Sequence, residues 1–336
     1  MQRLVYTVVG ACIFAPCASL FSQSTPCPTN AVFLALPDEV RGFSTRANGP
    51  TAPCQIIQGA NTTLSTANSV SISVNGYLHV LQFLTNGTVD IFLPADNGNV
   101  TPNRIESVLN NDLVALATDR SVNDFVLSNR SGPGEISVTE PSTTRAEFAF
   151  VAPGYNFASA LAIDKDNNLV VGGYDSDLNA LIQTMDTSVS LSSPTVIRTL
   201  AGANTSIYPM TAGDFTHNAM SLAVDPENGE LYVYSYSASK GSRKISIFSR
   251  GASGNVPPLR VISGPRTMIG IPGTLTNKIA VSADGRLFVA EANNTILVFA
   301  PGAHGNVAPA QIIADSTLGA TTVGSAGIGV RSCSCQ

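Results

Sequence analysis

The chain has 336 residues, 44% of them apolar and only 12% charged, with 28 glycines, 20 prolines and no tryptophan. That is too apolar for disorder and too rich in turn formers for a helical protein, and its length leaves either two domains or one repeat architecture. The formal net charge of −5, with eighteen scattered Lys and Arg, excludes a basic stripe able to neutralise phosphates, so nucleic acid is not an expected partner.

In chain order, Arg3 precedes a mostly apolar run over residues 4–21, interrupted by Pro16 and followed by Ser22, Gln23 and Ser24. This is a signal-peptide pattern. Residues 1–23 are expected to be removed on export, and 24–336 to form one secreted, periplasmic or extracellular domain. A lipoprotein reading at Cys12 fails because the apolar region before it is too short. Past residue 25 no apolar run is long enough to cross a bilayer. Cleavage leaves Cys27, Cys54, Cys333 and Cys335, an even number that suggests two disulfides in an exported chain.

Short runs of Val, Ile, Thr, Phe and Tyr mark strands throughout. Phe43, Gly49, Pro53 and Ile56 stand at fixed offsets, which recur at Phe92, Gly98, Pro102 and Ile105, at Phe248, Gly254, Pro258 and Val261, and at Phe299, Gly305, Pro309 and Ile312. The Phe is expected to end a strand and pack between sheets. The Gly supplies a positive φ. The Pro opens a strand that lacks a ladder donor and so belongs at a sheet edge. A second pattern, strand, turn and strand, recurs over 71–80, 160–171, 221–234 and 278–291, and in blurred form over 113–127. Together these give four strands, A to D, in a repeat of about fifty residues.

The repeat predicts an all-β, six-bladed β-propeller with four-stranded antiparallel blades at 70–108, 113–151, 160–200, 221–263 and 278–313, and a sixth shared between the chain ends. In that last blade 326–330 is strand A, Ala31–Leu36 strand B, 39–43 strand C and 54–57 strand D. The blades over 113–151 and 160–200 lack the Phe–Gly–Pro signature.

The pattern Phe–x5–Gly-Asn-Val–x–Pro, then an apolar strand, then Ile-Ala-Val, Asp-Gly and Leu-Phe-Val-Ala, resembles exported NHL-type propeller repeats. The wider six-bladed group includes SMP-30/gluconolactonase-like and TolB-like propellers. The resemblance implies a binding role, or alternatively a metal-dependent hydrolase or lactonase. The enzymes of that group hold a divalent metal with Glu, Asn and Asp side chains at the channel mouth. Glu291, Asn277 and Asp112 are of those types, but no motif places them in one site.

A-to-B and C-to-D turns share one face of such a propeller, so all four cysteines are expected there, Cys27 pairing with one tail cysteine and Cys54 with the other. Function is sought on the opposite face, formed by B–C and D–A loops. Asp112, Tyr155, Asp175, Asp214, His217, Tyr236, Asn277 and Glu291 are its candidate ligand-binding residues. His79 falls in a B strand and reads as structural. Asp164 to Asn168, superficially like a calcium loop, reads as an A–B turn, because Leu169 stands where such a loop needs Gly. No catalytic motif occurs. A monomer that binds a protein, peptide or glycan without a cofactor is expected; the hydrolase alternative would need a divalent cation such as calcium or zinc.

Overall fold

The computed structural model describes residues 27–83, 87–109, 113–128, 134–210, 220–237, 240–270, 279–291, 295–317 and 327–331. In chain order, β1 (Ala31–Leu36), β2 (Glu39–Ser44), β3 (Gly49–Thr51) and β4 (Gln55–Gln58) come first. Blade 1 holds β5 (Ala67–Ile72), β6 (Leu78–Gln82), β7 (Thr88–Phe92) and β8 (Arg104–Ser107). Blade 2 holds β9 (Leu113–Thr118), β10 (Asp124–Ser128), β11 (Glu135–Thr139) and β12 (Phe148–Phe150). Blade 3 holds β13 (Phe157–Ile163), β14 (Leu169–Tyr174), β15 (Ala180–Asp186) and β16 (Thr195–Ala201). Blade 4 holds β17 (Ser221–Val224), β18 (Leu231–Ser237), β19 (Ser242–Phe248) and β20 (Arg260–Ser263). Blade 5 holds β21 (Ile279–Val281), β22 (Leu287–Glu291), β23 (Thr295–Phe299) and β24 (Gln311–Asp315). The last strand, β25 (Gly327–Arg331), pairs with β1, so the sixth sheet runs β25–β1–β2–β4 and the two chain ends close the ring.

Strands in the middle of a blade, such as β1, read as continuous apolar runs because each blade is covered on both faces. In β1 all six residues are buried. Ala31, Phe33 and Ala35 pack toward blade 1, while Val32 and Leu34 pack toward blade 5 beside Phe288 and Ile296. The repeat phenylalanines follow one rule. Phe43, Phe92, Phe248 and Phe299 each end or nearly end strand C, are at most 1% exposed, and pack onto the preceding blade. Burying each contributes roughly 2–3 kcal/mol.

The repeat glycine acts at the same joint. Gly98, Gly254 and Gly305, at φ of 74°, 76° and 69°, form parallel bridges to Ile57, Leu200 and Ile262 in strand D of the preceding blade. The asparagine after each glycine then caps the turn that follows that strand. Asn99, Asn255 and Asn306 accept the N–H of Asn61, Asn204 and Arg266 at 2.7, 2.7 and 2.8 Å. At the closing joint the bridge lengthens into β3, which adds to β24 as a parallel fifth strand. Arg41 reinforces it, donating to Glu39 at 2.7 Å and to Asp315 at 2.9 Å.

The same contact explains Gly202, whose φ of 109° and ψ of 166° favour glycine and whose added Cβ would lie 2.6 Å from the Asn255 side chain. Gly202→Ala is expected to destabilise the fold by about 1–3 kcal/mol, read as a lower denaturant midpoint. An unchanged midpoint would show that this joint yields freely.

One expectation is corrected. Cys27 and Cys54 are bonded to each other, with Cα atoms 5.0 Å apart, and not to separate tail cysteines. Both sit in the split blade, flanking β2, where Gly42 leaves the space: a Cβ there would lie 3.0 Å from the Cys27 Sγ. Cys333, Cys335 and residues 1–23 lie outside the described residues.

Candidate functional site

The six inner strands converge on a central cavity of about 80 Å³. Each contributes side chains to its wall: Ser69 from β5, Leu116 from β9, Ser159 from β13, Ser221 from β17, Ile279 from β21 and Ile328 from β25. The volume admits a few waters and is far below the ~300 Å³ of small-molecule sites. Polar side chains of the inner strands also tie the wall together. Ser221 Oγ accepts the Ile279 N–H at 3.2 Å, Ser71 Oγ accepts the Thr118 N–H at 3.2 Å, and Asn68 donates to the Leu113 carbonyl at 2.9 Å.

Four of the eight candidate residues are described. Tyr155 is turned into the joint between blades 2 and 3, where it is 6% exposed and its hydroxyl donates to the Val171 carbonyl at 2.7 Å. Burial pushes its phenol well above the ordinary range. Asp175 organises its own B–C turn, its Oδ1 accepting the N–H groups of Asp177 and Asn179, both at 2.9 Å. Tyr236 carries the Arg243 guanidinium over its ring, 4.7 Å from the centroid. Glu291, 4% exposed at the end of β22, accepts the Gly270 N–H at 3.3 Å. Arg243 donates to the Gly270 carbonyl, so Tyr236 and Glu291 are joined across blades 4 and 5 through that one residue. Asp112, Asp214, His217 and Asn277 lie outside the described residues.

Of the three residues named for a metal, Glu291 is the one described, and the Oε1 of its carboxylate is turned to a backbone amide. Among the described residues no group of three or more His, Cys, Asp or Glu is placed to hold a metal ion. Asp164 caps its A–B turn, accepting the N–H groups of Asp166 and Asn168 at 2.8 Å, and takes Arg198 at 2.7 Å, as the turn reading requires.

Two clusters were not legible in the sequence. On the loop face Tyr208, Lys240 and Lys244 meet at the blade-4 hairpin, with Lys244 Nζ 3.7 Å and Lys240 Nζ 5.7 Å from the ring centroid. The available signal was that two of the chain's four lysines stand in this one hairpin. Between blades 1 and 2 His79, Asp124 and Glu106 lie together, all 0% exposed. His79 Nδ1 is 2.7 Å from Asp124 Oδ2, Thr118 donates to Asp124 Oδ1 at 2.6 Å, and Arg104 donates to Glu106. Burial, and then the adjacent Asp124, push the Glu106 carboxyl up to about 8. Fully enclosed, this His–Asp pair has no route to a substrate; it belongs to the joint.

Among the described residues no helix is long and apolar enough to cross a membrane. No family model matches the chain, and no curated protein matches it. Among solved structures it is similar to hydrazine synthase from Kuenenia stuttgartiensis, at 10% identity and a TM-score of 0.51, over 78% of this chain and 70% of that one. A likeness at that identity concerns the fold alone.

Proposed function

We propose that this chain is an exported NHL-like propeller that binds a protein, peptide or glycan through its B–C and D–A loop face, without catalysis of its own. The observation that carries the reading is the channel wall, built of serine, alanine and aliphatic side chains, with Ser221 holding a neighbouring strand. The Cys27–Cys54 disulfide supports export, since such bonds persist in oxidising compartments.

The alternative, a metal-dependent SMP-30-like hydrolase or lactonase, makes opposite predictions on two measurements. The full chain, equilibrated with calcium or zinc and freed of unbound ion, is expected to retain substoichiometric metal and to hydrolyse lactones no faster than buffer. Arrays of glycans and peptides are expected to yield saturable ligands whose capture depends on loop-face residues. One retained ion per chain together with metal-dependent lactone turnover would overturn the reading.

A further inference from the structure

The blade-4 hairpin reaches beyond its own sheet. β17 pairs with β18 as far as Tyr234, and β20 pairs with β19 from Lys244 onward, so among the described residues the two arms of the hairpin beyond these points pair with each other and with no third strand. Cross-strand register places Tyr236 opposite Arg243 and Ser235 opposite Lys244, and these two pairs face opposite sides of the ribbon. On the Tyr236 side, Arg243 is held by that ring and by the Gly270 carbonyl.

The other side is built around Tyr208, which arrives from the D–A loop between blades 3 and 4. Its N–H donates to Ser235 Oγ at 3.3 Å and its hydroxyl oxygen accepts from Ser242 at 2.9 Å. That fixes the ring against the tip while leaving the phenol proton free to donate. Two ammonium groups stand against this one ring. Among the described residues neither Lys240 nor Lys244 has a carboxylate within ion-pair distance, whereas Arg41, Arg104, Arg198, Arg250, Arg260 and Arg286 each do. Two like charges with no carboxylate of the described residues beside them, in a chain of net charge −5, make a local site of opposite sign to the molecule. Burial, and then Lys240, hold the Lys244 ammonium below its ordinary range, so an anion between the two would relieve both.

We propose that Tyr208, Lys240 and Lys244 form the recognition site for an acidic polysaccharide, a sugar chain bearing carboxylates; this rests on the binding reading above. A sugar carboxylate bridges the two ammonium groups through charge-assisted hydrogen bonds. The neighbouring sugar hydroxyls meet the Tyr208 phenol and Ser242. A run of Asp or Glu offers the charge without hydroxyls beside it, whereas every unit of an acidic sugar chain presents both, which is why the sugar chain is favoured.

The test titrates the full chain with polygalacturonate, with its methyl-esterified form and with polyglutamate. Polygalacturonate is expected to bind, to weaken as salt rises, and to lose at least about tenfold in affinity on esterification or in Lys240→Gln/Lys244→Gln. Lys240→Glu, a change at an exposed position, tests the same charge while leaving the closer Lys244 on the ring. The proposal is overturned if polygalacturonate does not bind, if both variants bind it as the parent does, or if polyglutamate binds equally well. Binding that ignores these substitutions removes this site and leaves the binding reading standing. Retained metal with lactone turnover removes the binding reading itself.

Discussion

Glu106→Gln is expected to match the parent in stability near about pH 4 and to exceed it by a few kcal/mol near about pH 9. The folded Glu106 carboxyl titrates at about 8, against an ordinary value of 4.5, because it is enclosed beside Asp124. The folded state therefore holds a proton that the unfolded chain releases, and stability falls as pH rises from about 4.5 to about 8. Glutamine keeps the geometry without the proton. Its carbonyl can still accept from Arg104, and its neutral amide removes the charge that burial beside Asp124 disfavours. Asp90, also raised by burial, contributes a slope of the same sign in both proteins, so the variant's profile flattens without becoming level. Unfolding midpoints measured across this range decide the matter. Parallel profiles for parent and variant would show that Glu106 is ionised in the folded protein.

The location of this cluster follows from how the joints differ. Every pair of adjacent blades encloses an apolar cluster, but among the described residues that between blades 1 and 2 has six buried members, against fourteen between blades 2 and 3. The smaller one leaves room for His79, Glu106 and Asp124, whose removal from water is offset by the His79–Asp124 pair, the Thr118 hydroxyl on Asp124 and the Arg104 guanidinium on Glu106. The joint between blades 2 and 3 shows the converse. No parallel bridge is described there, and its apolar cluster is the largest.

The architecture was legible because each repeat residue has one physical task that recurs at one spacing. Phe92 fills a joint, Gly98 takes a positive φ, and Pro102 precedes an edge strand, so the offsets alone reveal the blade. The closure was legible because the strand pattern over 326–330 lacks the B, C and D strands that 31–57 supplies, and β25 does pair with β1. What remained hidden depends on neighbours distant in sequence. Asn99 looked like part of a turn, and only the packed ring shows it capping Asn61 of the preceding blade. His79 was correctly assigned to a B strand, but its partner Asp124 comes from β10 of the next blade, which no local pattern connects to it. Tyr155 read as a D–A loop residue on the candidate face, although its ring belongs to the core. The Tyr208 cluster was obscured because its ring and its two lysines come from different blade connections.

The disulfide gives the second large effect. Cys27→Ser/Cys54→Ser is expected to destabilise the fold by about 3–4 kcal/mol, the loop-entropy value for a cross-link spanning 27 residues. A bond from Cys27 or Cys54 to the tail would have enclosed nearly the whole chain and acted on the ring as a whole. The observed bond instead ties the entrance of β1 to the entrance of β4 across β2, within one blade. Its loss should therefore be local before it is global. Amides of β4, an edge strand, and of β25, joined to the rest of its sheet only through β1, are expected to exchange faster in the double variant. Amides of blade 3, remote from the closure, should keep their protection until the ring unfolds. Hydrogen exchange resolved by strand separates the two cases: a uniform rise across all blades would mean that the bond stabilises the ring as a unit. A rise confined to the split blade makes the closing seam the site where this propeller first opens.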